Sequence, residues 1–166
     1  MDDTILVHTS RSIERMLDEG GSQAWSLKLT RARQMRYVVC AWFPGGPYAE
    51  VADRHVAGEG MMVAEIERIS PSAEEHSVRN RYIIRFKRWA RLSHGVMWSD
   101  ERNPVKYTSL AALGIDPTAL DWQNVDPKYE IDPNSNIVPM DMAHAKFALA
   151  MFYKVRSENV EITIRG

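Results

Sequence analysis

Between Arg79 and Arg91 the chain places six basic residues (Arg79, Arg81, Arg85, Lys87, Arg88, Arg91) and no acid, with Tyr82, Phe86 and Trp89 interleaved. The run RNRYIIRFKRWARL has a period of two, the rhythm of a strand. Tyr82, Ile84 and Phe86 fall on one face, and Arg85, Lys87 and Trp89 on the other. Such a strand must bury its apolar face in a sheet. Its cationic, aromatic face can neutralise phosphates and stack a base. An exposed antiparallel strand kept soluble by its charges has the same pattern.

The rest of the chain alternates short strands with short helices. Thr4 to His8 reads as a strand, then Ser10 or Ser12 caps a helix running to Glu19, stopped by Gly20-Gly21. Ser26 to Met35 is ambiguous, with Thr30 a possible cap for a turn over Arg31 to Met35. Tyr37 to Trp42 and Met61 to Ile69 are strands rich in β-formers. Phe43 to Gly60 between them is a long loop with two prolines and four glycines. Ser93 to Lys106 is a second irregular loop, and Thr108 caps a helix over Ser109 to Leu113. Asp116-Pro117 reads as a cap with proline at the first helical position. Asp121 to Ile137 is a polar linker. A helix from Pro139 to about Tyr153 follows, with Ala143, Phe147 and Met151 facing inward. Val160, Ile162 and Ile164 alternate with polar residues as a final strand.

At 166 residues, 45% apolar and 26% charged, the composition is that of one soluble domain. No apolar run reaches the ~18–20 residues of a membrane helix, and the Met-Asp-Asp start is unlike a secretory signal. The lone Cys40 cannot form an internal disulfide, which suits the cytoplasm. The net charge of −1 hides an asymmetry. Six acids against Lys128 occupy Gly114 to Asp141, while Arg11, Arg15, Lys28, Arg31, Arg33 and Arg36 precede the basic strand. Nucleic-acid binding by such a chain would be local and pocket-like.

Several segments in order carry a resemblance. Ile5-Leu6-Val7-His8-Thr9-Ser10 precedes a helix, Trp25-Ser26 follows it, and GEGMMVAEIERI spans Gly58 to Ile69. RYIIRFKRWARLSHGVMW then leads to RNPVKYTSL. In this order the chain resembles the PUA-like superfamily, most closely its EVE and YTH branches. The resemblance covers roughly residues 4 to 113. It implies an α+β fold, a curved mixed sheet or open β-barrel with peripheral helices. Residues 1–166 would form a single domain, with 137–166 a helix-strand extension docked on it.

The resemblance also implies a function: a modified or flipped base of DNA or RNA held between aromatic walls. By position Trp25 and Trp98 are the walls, though Trp42 or Trp89 would serve equally well. Thr9, Ser10 and Ser26 would supply hydroxyls at the pocket floor. Arg31, Arg33, Arg85 and Arg88, with Lys87 and Arg91 of the basic strand, would face phosphates. No cofactor, metal or membrane is implied.

Enzymatic readings have less support. The five histidines show no HxxxH or HxH spacing, there is no CxxC, and there is no GxSxG elbow or P-loop. Cys40 lies in an apolar strand, where the thiolate is disfavoured. The related ASCH branch includes small hydrolases that use lysine, threonine and glutamate, roles for which Lys28, Thr30 and Glu59 or Glu65 are candidates. A third class is a protein-binding regulator of a nucleic-acid machine. Its acidic C-terminal third would imitate a phosphate backbone, and Met61, Met62 and Met97 would give an adaptable apolar patch.

Overall fold

The computed structural model describes residues 1–46, 55–72, 81–93, 95, 97–98, 103–125 and 141–163. The chain divides into two compact units, Met1–Pro127 and Lys128–Gly166.

The first unit is a mixed α+β fold built on one sheet curled into a half-barrel. Its strands are β1 (Thr4–Thr9), β2 (Gly21–Trp25), β3 (Tyr37–Trp42), β4 (Gly60–Pro71), β5 (Tyr82–Arg91) and β6 (Val105–Thr108). They lie in the order β2-β5-β4-β3-β1-β6, and a short β7 (Gln123–Asn124) pairs with β5 beside β2. Only β1 and β3 pair in parallel; the other pairs are antiparallel. Helix α1 (Ile13–Glu19) connects β1 to β2, and a single turn, α2 (Leu29–Ala32), connects β2 to β3.

Alternation along the strands sorts the apolar residues into two cores. Ile5, Val7, Val38, Cys40, Met62, Ala64, Ile84, Phe86 and Val105 point inside the curl, where Ile13 and Met16 of α1 meet them. Leu6, Val39, Ala41, Val63 and Ala90 point outside and are covered by Leu110, Ile115 and Trp122, among others. The outer cover therefore comes from Met97 and Trp98 before β6 and from the chain after it.

Local chemistry accounts for the element ends. Ser12 caps α1 by accepting from Arg15 N at 3.2 Å, and Gly20 ends it at φ 71°. Gly21 must lack a side chain, because a Cβ there would lie 2.3 Å from the Ile84 carbonyl oxygen. That close approach lets β2 join β5. Asp116 caps the 3₁₀ turn Pro117–Ala119, its Oδ1 accepting from Thr118 N at 2.9 Å.

Several expectations are corrected. The short polar run Gly21–Trp25 forms β2, held by its ladder with β5 and not by β-propensity. The turn expected over Arg31 to Met35 is instead a helix over Leu29–Ala32, with Thr30 inside it. Val105–Thr108 is a strand, and Ser109 to Leu113 is a turn and not a helix. Residues 160–163 form no strand, since no described strand offers them a ladder. Much of the loop after Phe43 and most of the acidic linker lie outside the described residues.

In the basic strand the expected faces are broken by a bulge. Glu65 pairs with Arg88 and Ile66 with Phe86, so Lys87 is the extra residue. One inserted residue reverses the alternation, so Phe86 and Trp89 both enter the interior. Trp89 therefore does not share an outer face with Arg85. The strand is also not at an edge: β4 flanks one side, and β2 then β7 flank the other.

The second unit contains α3 (Met142–Tyr153) and the 3₁₀ turn Ser157–Asn159. Ala150 is buried, but Phe147, expected inward, is 61% exposed, and Phe152 is 80% exposed. Among the described residues no helix is long and apolar enough to cross a membrane.

Candidate functional site

The curl of the sheet brings its two outermost strands toward each other. The chain just past β2 meets β6 there, leaving a cleft of about 530 Å³ lined by Ser26, Leu27, Lys28, Arg31, Asn103, Val105, Lys106 and Tyr107. That volume lies within the roughly 300–1,000 Å³ of ordinary small-ligand sites. Three of the lining residues are cations, and among the described residues no acid lines the cleft.

Arg31 stands on α2 with its guanidinium carbon 4.4 Å from the centre of the Tyr107 ring. Asp2 forms an ion pair with it. Tyr107 follows Val105 by two residues, so both turn toward the interior core. The Tyr107 hydroxyl is buried and has no hydrogen-bond partner among the described residues. Ser26 and Lys28 are exposed. A phosphate entering this cleft would meet Lys28 and compete with the Asp2 carboxylate for Arg31, beside an aromatic ring.

Of the residues expected from sequence, the cleft gathers Ser26 and Arg31, together with Lys28, which was expected for a hydrolase. The tryptophans lie elsewhere. Trp25, Trp42 and Trp89, 8%, 3% and 9% exposed, belong to the interior core, and Trp98, 6% exposed, to the outer one. Trp25 and Trp98 are thus on opposite faces of the sheet and do not wall one pocket. Trp25 Nε1 donates to Ser22 Oγ at 2.9 Å, and Trp98 stacks on His8 with ring centres 5.1 Å apart. Thr9 and Ser10 are buried at the end of β1, and Thr9 Oγ1 accepts from Arg11 N at 3.1 Å.

The expected phosphate ligands also disperse. Arg33 and Lys87 are exposed. Arg88 is ion-paired with Glu65 and lies 4.7 Å from the centre of the Trp122 ring. Arg91 lies 3.6 Å from Glu14, and Arg85 donates from Nη1 to Glu19 O at 2.8 Å. Among the described residues, Asp2, Glu14, Glu19 and Glu65 pair with arginines of the same chain.

Glu65 lies between two arginines, Arg36 and Arg88. Burial alone would raise its carboxyl, but the hydrogen bond and charge of Arg88, with Lys87 and Arg36, hold it below the usual range. Glu59 accepts from Val56 N at 2.9 Å and lies 3.4 Å from His55. Both glutamates considered for a hydrolase are therefore committed to other partners. Among the described residues no group of three or more His, Cys, Asp or Glu is placed to hold a metal ion.

Asn103, Lys106 and Tyr107 were not recognised as site residues from sequence. The available signal was the alternation Val105, Lys106, Tyr107, obscured by the Asn103-Pro104 turn before it. No family model, curated protein or solved structure matches the chain.

Proposed function

We propose that this chain is a nucleic-acid-binding module of PUA-like, EVE/YTH-related character, which holds a phosphate and its nucleotide in the cleft between β2 and β6. The observation that carries the reading is the cationic lining of that cleft by Lys28, Arg31 and Lys106 around the Tyr107 ring. Cations beside an aromatic face suit a phosphate and its base together. Tyr107 takes the place of the tryptophans as the aromatic surface. Its unpartnered hydroxyl is the polar group next to an inserted base, including a modified one.

The test is fluorescence anisotropy with short single- and double-stranded DNA and RNA, with and without methylated bases, at two salt concentrations. Salt-sensitive binding that Lys28→Ala and Arg31→Ala weaken supports the reading. Failure to bind any oligonucleotide overturns it. One observation favours a protein partner as the second reading: Phe147, Phe152 and Tyr153 of the second unit are exposed. Binding through such a surface would be insensitive to salt.

A further inference from the structure

The cleft borders an edge of the sheet, and the hydrogen-bond phase of β6 decides what that edge offers. β6 stands at the end of the strand order and pairs with β1 alone. In β1 the carbonyls of Asp3 and Thr9 accept from Tyr37 N and Phe43 N, so its odd-numbered positions bond toward β3. Its even-numbered positions bond toward β6, as His8 N does in donating to Pro104 O at 3.0 Å. Bonding in an antiparallel pair alternates from residue to residue. The register, Leu6 with Lys106 and Thr4 with Thr108, therefore commits the even-numbered backbone groups of β6 to β1. The N–H and C=O of Val105 and of Tyr107 point the other way, out of the sheet edge.

Most of that edge is already closed. Asn103 Oδ1 accepts from Val105 N at 3.2 Å, and Pro104 has no N–H to give. Left over are the N–H and C=O of Tyr107 and the C=O of Val105. Among the described residues no other group bonds them. Val105, Lys106 and Tyr107 all line the cleft. Successive side chains leave a strand on opposite faces, so what three consecutive residues share there is the edge itself.

We propose that the N–H and C=O of Tyr107 are the base-reading groups of the cleft, and that they take a base presenting an N–H beside a carbonyl, as thymine, uracil and guanine do. The inference rests on the nucleotide reading of the cleft given above and names the atoms that read the base. The base carbonyl accepts from Tyr107 N–H and the base N–H donates to Tyr107 C=O, the exchange a neighbouring strand residue would make. A single free donor favours a base over a peptide. Strand addition draws on a row of donors at alternate residues, and here Asn103 and Pro104 remove the next ones. Lys28 and Arg31 line the same cleft and hold the phosphate.

The test is amide hydrogen exchange of the full chain, read by NMR, with short single strands of thymine or of guanine. Their counterparts carry 3-methylthymine or 1-methylguanine, in which a methyl group replaces the base N–H and the phosphates are unchanged. In the free protein the Tyr107 amide exchanges fast and the Lys106 amide, bonded to β1, exchanges slowly. Thymine or guanine strands slow the Tyr107 amide by about tenfold or more, and the methylated strands bind more weakly with the same salt dependence. Methylated and unmethylated strands that bind alike, both weakened by Lys28→Ala, overturn this inference and leave the phosphate cleft standing. Failure of every strand to bind overturns both. An acidic peptide that protects the Tyr107 amide where the strands do not assigns the edge to a protein strand, which also overturns the base-reading role.

Discussion

The interior of the curled sheet and the cleft between β2 and β6 are built from the same strands to opposite ends. Inside, every strand from β1 to β6 contributes apolar side chains, and Trp25, Trp42 and Trp89 fill the volume. At the cleft, the chain that has just buried Trp25 turns outward to expose Ser26, Lys28 and Arg31. The boundary falls between consecutive residues. Large aromatics in a small half-barrel serve first as core. The surface left for recognition is then cationic, with one tyrosine at its rim.

The largest contrast between core and surface lies within β5. Trp89 and Lys87 are two residues apart, yet the bulge buries one and exposes the other. Trp89→Ala should cost about 3–5 kcal/mol in urea unfolding, the range for truncating a buried tryptophan. Lys87→Ala should stay within about 0.5 kcal/mol. Similar small losses for both would mean that Trp89 is not core and that the bulge is absent. Trp25→Ala should also lose stability on the scale of Trp89→Ala, so a fall in ligand binding there would not by itself identify a base pocket.

Next in size is the cleft. Lys28→Ala and Arg31→Ala should each weaken oligonucleotide binding and reduce the slope of log affinity against log salt by about one unit. Arg88→Ala should leave that slope unchanged, because Arg88 is held by Glu65 and Trp122. Anisotropy titrations across a salt series would show it. A slope that falls with Arg88→Ala and not with Lys28→Ala would move the anion surface from the cleft to the basic strand.

What could be read from the sequence followed the period of the pattern. β1, β3, β4 and β5 are legible because each is a run of residues with a strong apolar or period-two signal bounded by turn residues, even where a bulge resets the faces of β4 and β5. The Ser12 and Gly20 caps of α1 were legible because capping chemistry is local. β2 was not, because Gly21 and Ala24 carry little strand signal and only the ladder with β5 holds them; Ala24 even adopts φ 68°. The outward placement of Trp89 failed because a period-two reading cannot see an inserted residue. The cleft was half legible. Ser26 and Arg31 were named, but their meeting with Tyr107 depends on two outermost strands converging through the curl, which no local pattern encodes. The expectation of an α+β fold on a curved sheet holds at that coarse level.

A smaller effect sharpens the description of the outer face. Glu65 is held below the usual carboxylate range, burial opposing and Arg88, Lys87 and Arg36 favouring the charged form. A carboxyl with a lowered folded-state value contributes stability above its unfolded value, and loses it as pH falls through the folded one. Wild type should therefore lose more stability than Glu65→Gln as pH falls from about 5 toward 3, from just above an ordinary glutamate value downward. The two should converge once Glu65 is protonated in both states. Parallel thermal-melt curves across that window would show that the Arg36 and Arg88 pairs contribute nothing to folding.

The smallest expected signal tests the interior as a chemical environment. Cys40 sits in β3 with no solvent exposure, and burial pushes its thiol from 9.0 up to about 12, the hydrogen bond with Ser22 pulling weakly the other way. Reactivity belongs to the thiolate, so the folded protein should not react with a thiol reagent at pH 8, and the unfolded chain should react at once. The same shift works against folding at high pH: the unfolded thiol ionises from about 9 upward while the folded one resists, so stability falls as pH climbs toward 12. Labelling in the native state would show that β3 opens to solvent. The interior would then be a dynamic cavity, and the tryptophans would return as candidates for contact with a base. Absence of labelling leaves recognition to the rim, where Lys28, Arg31 and Tyr107 meet.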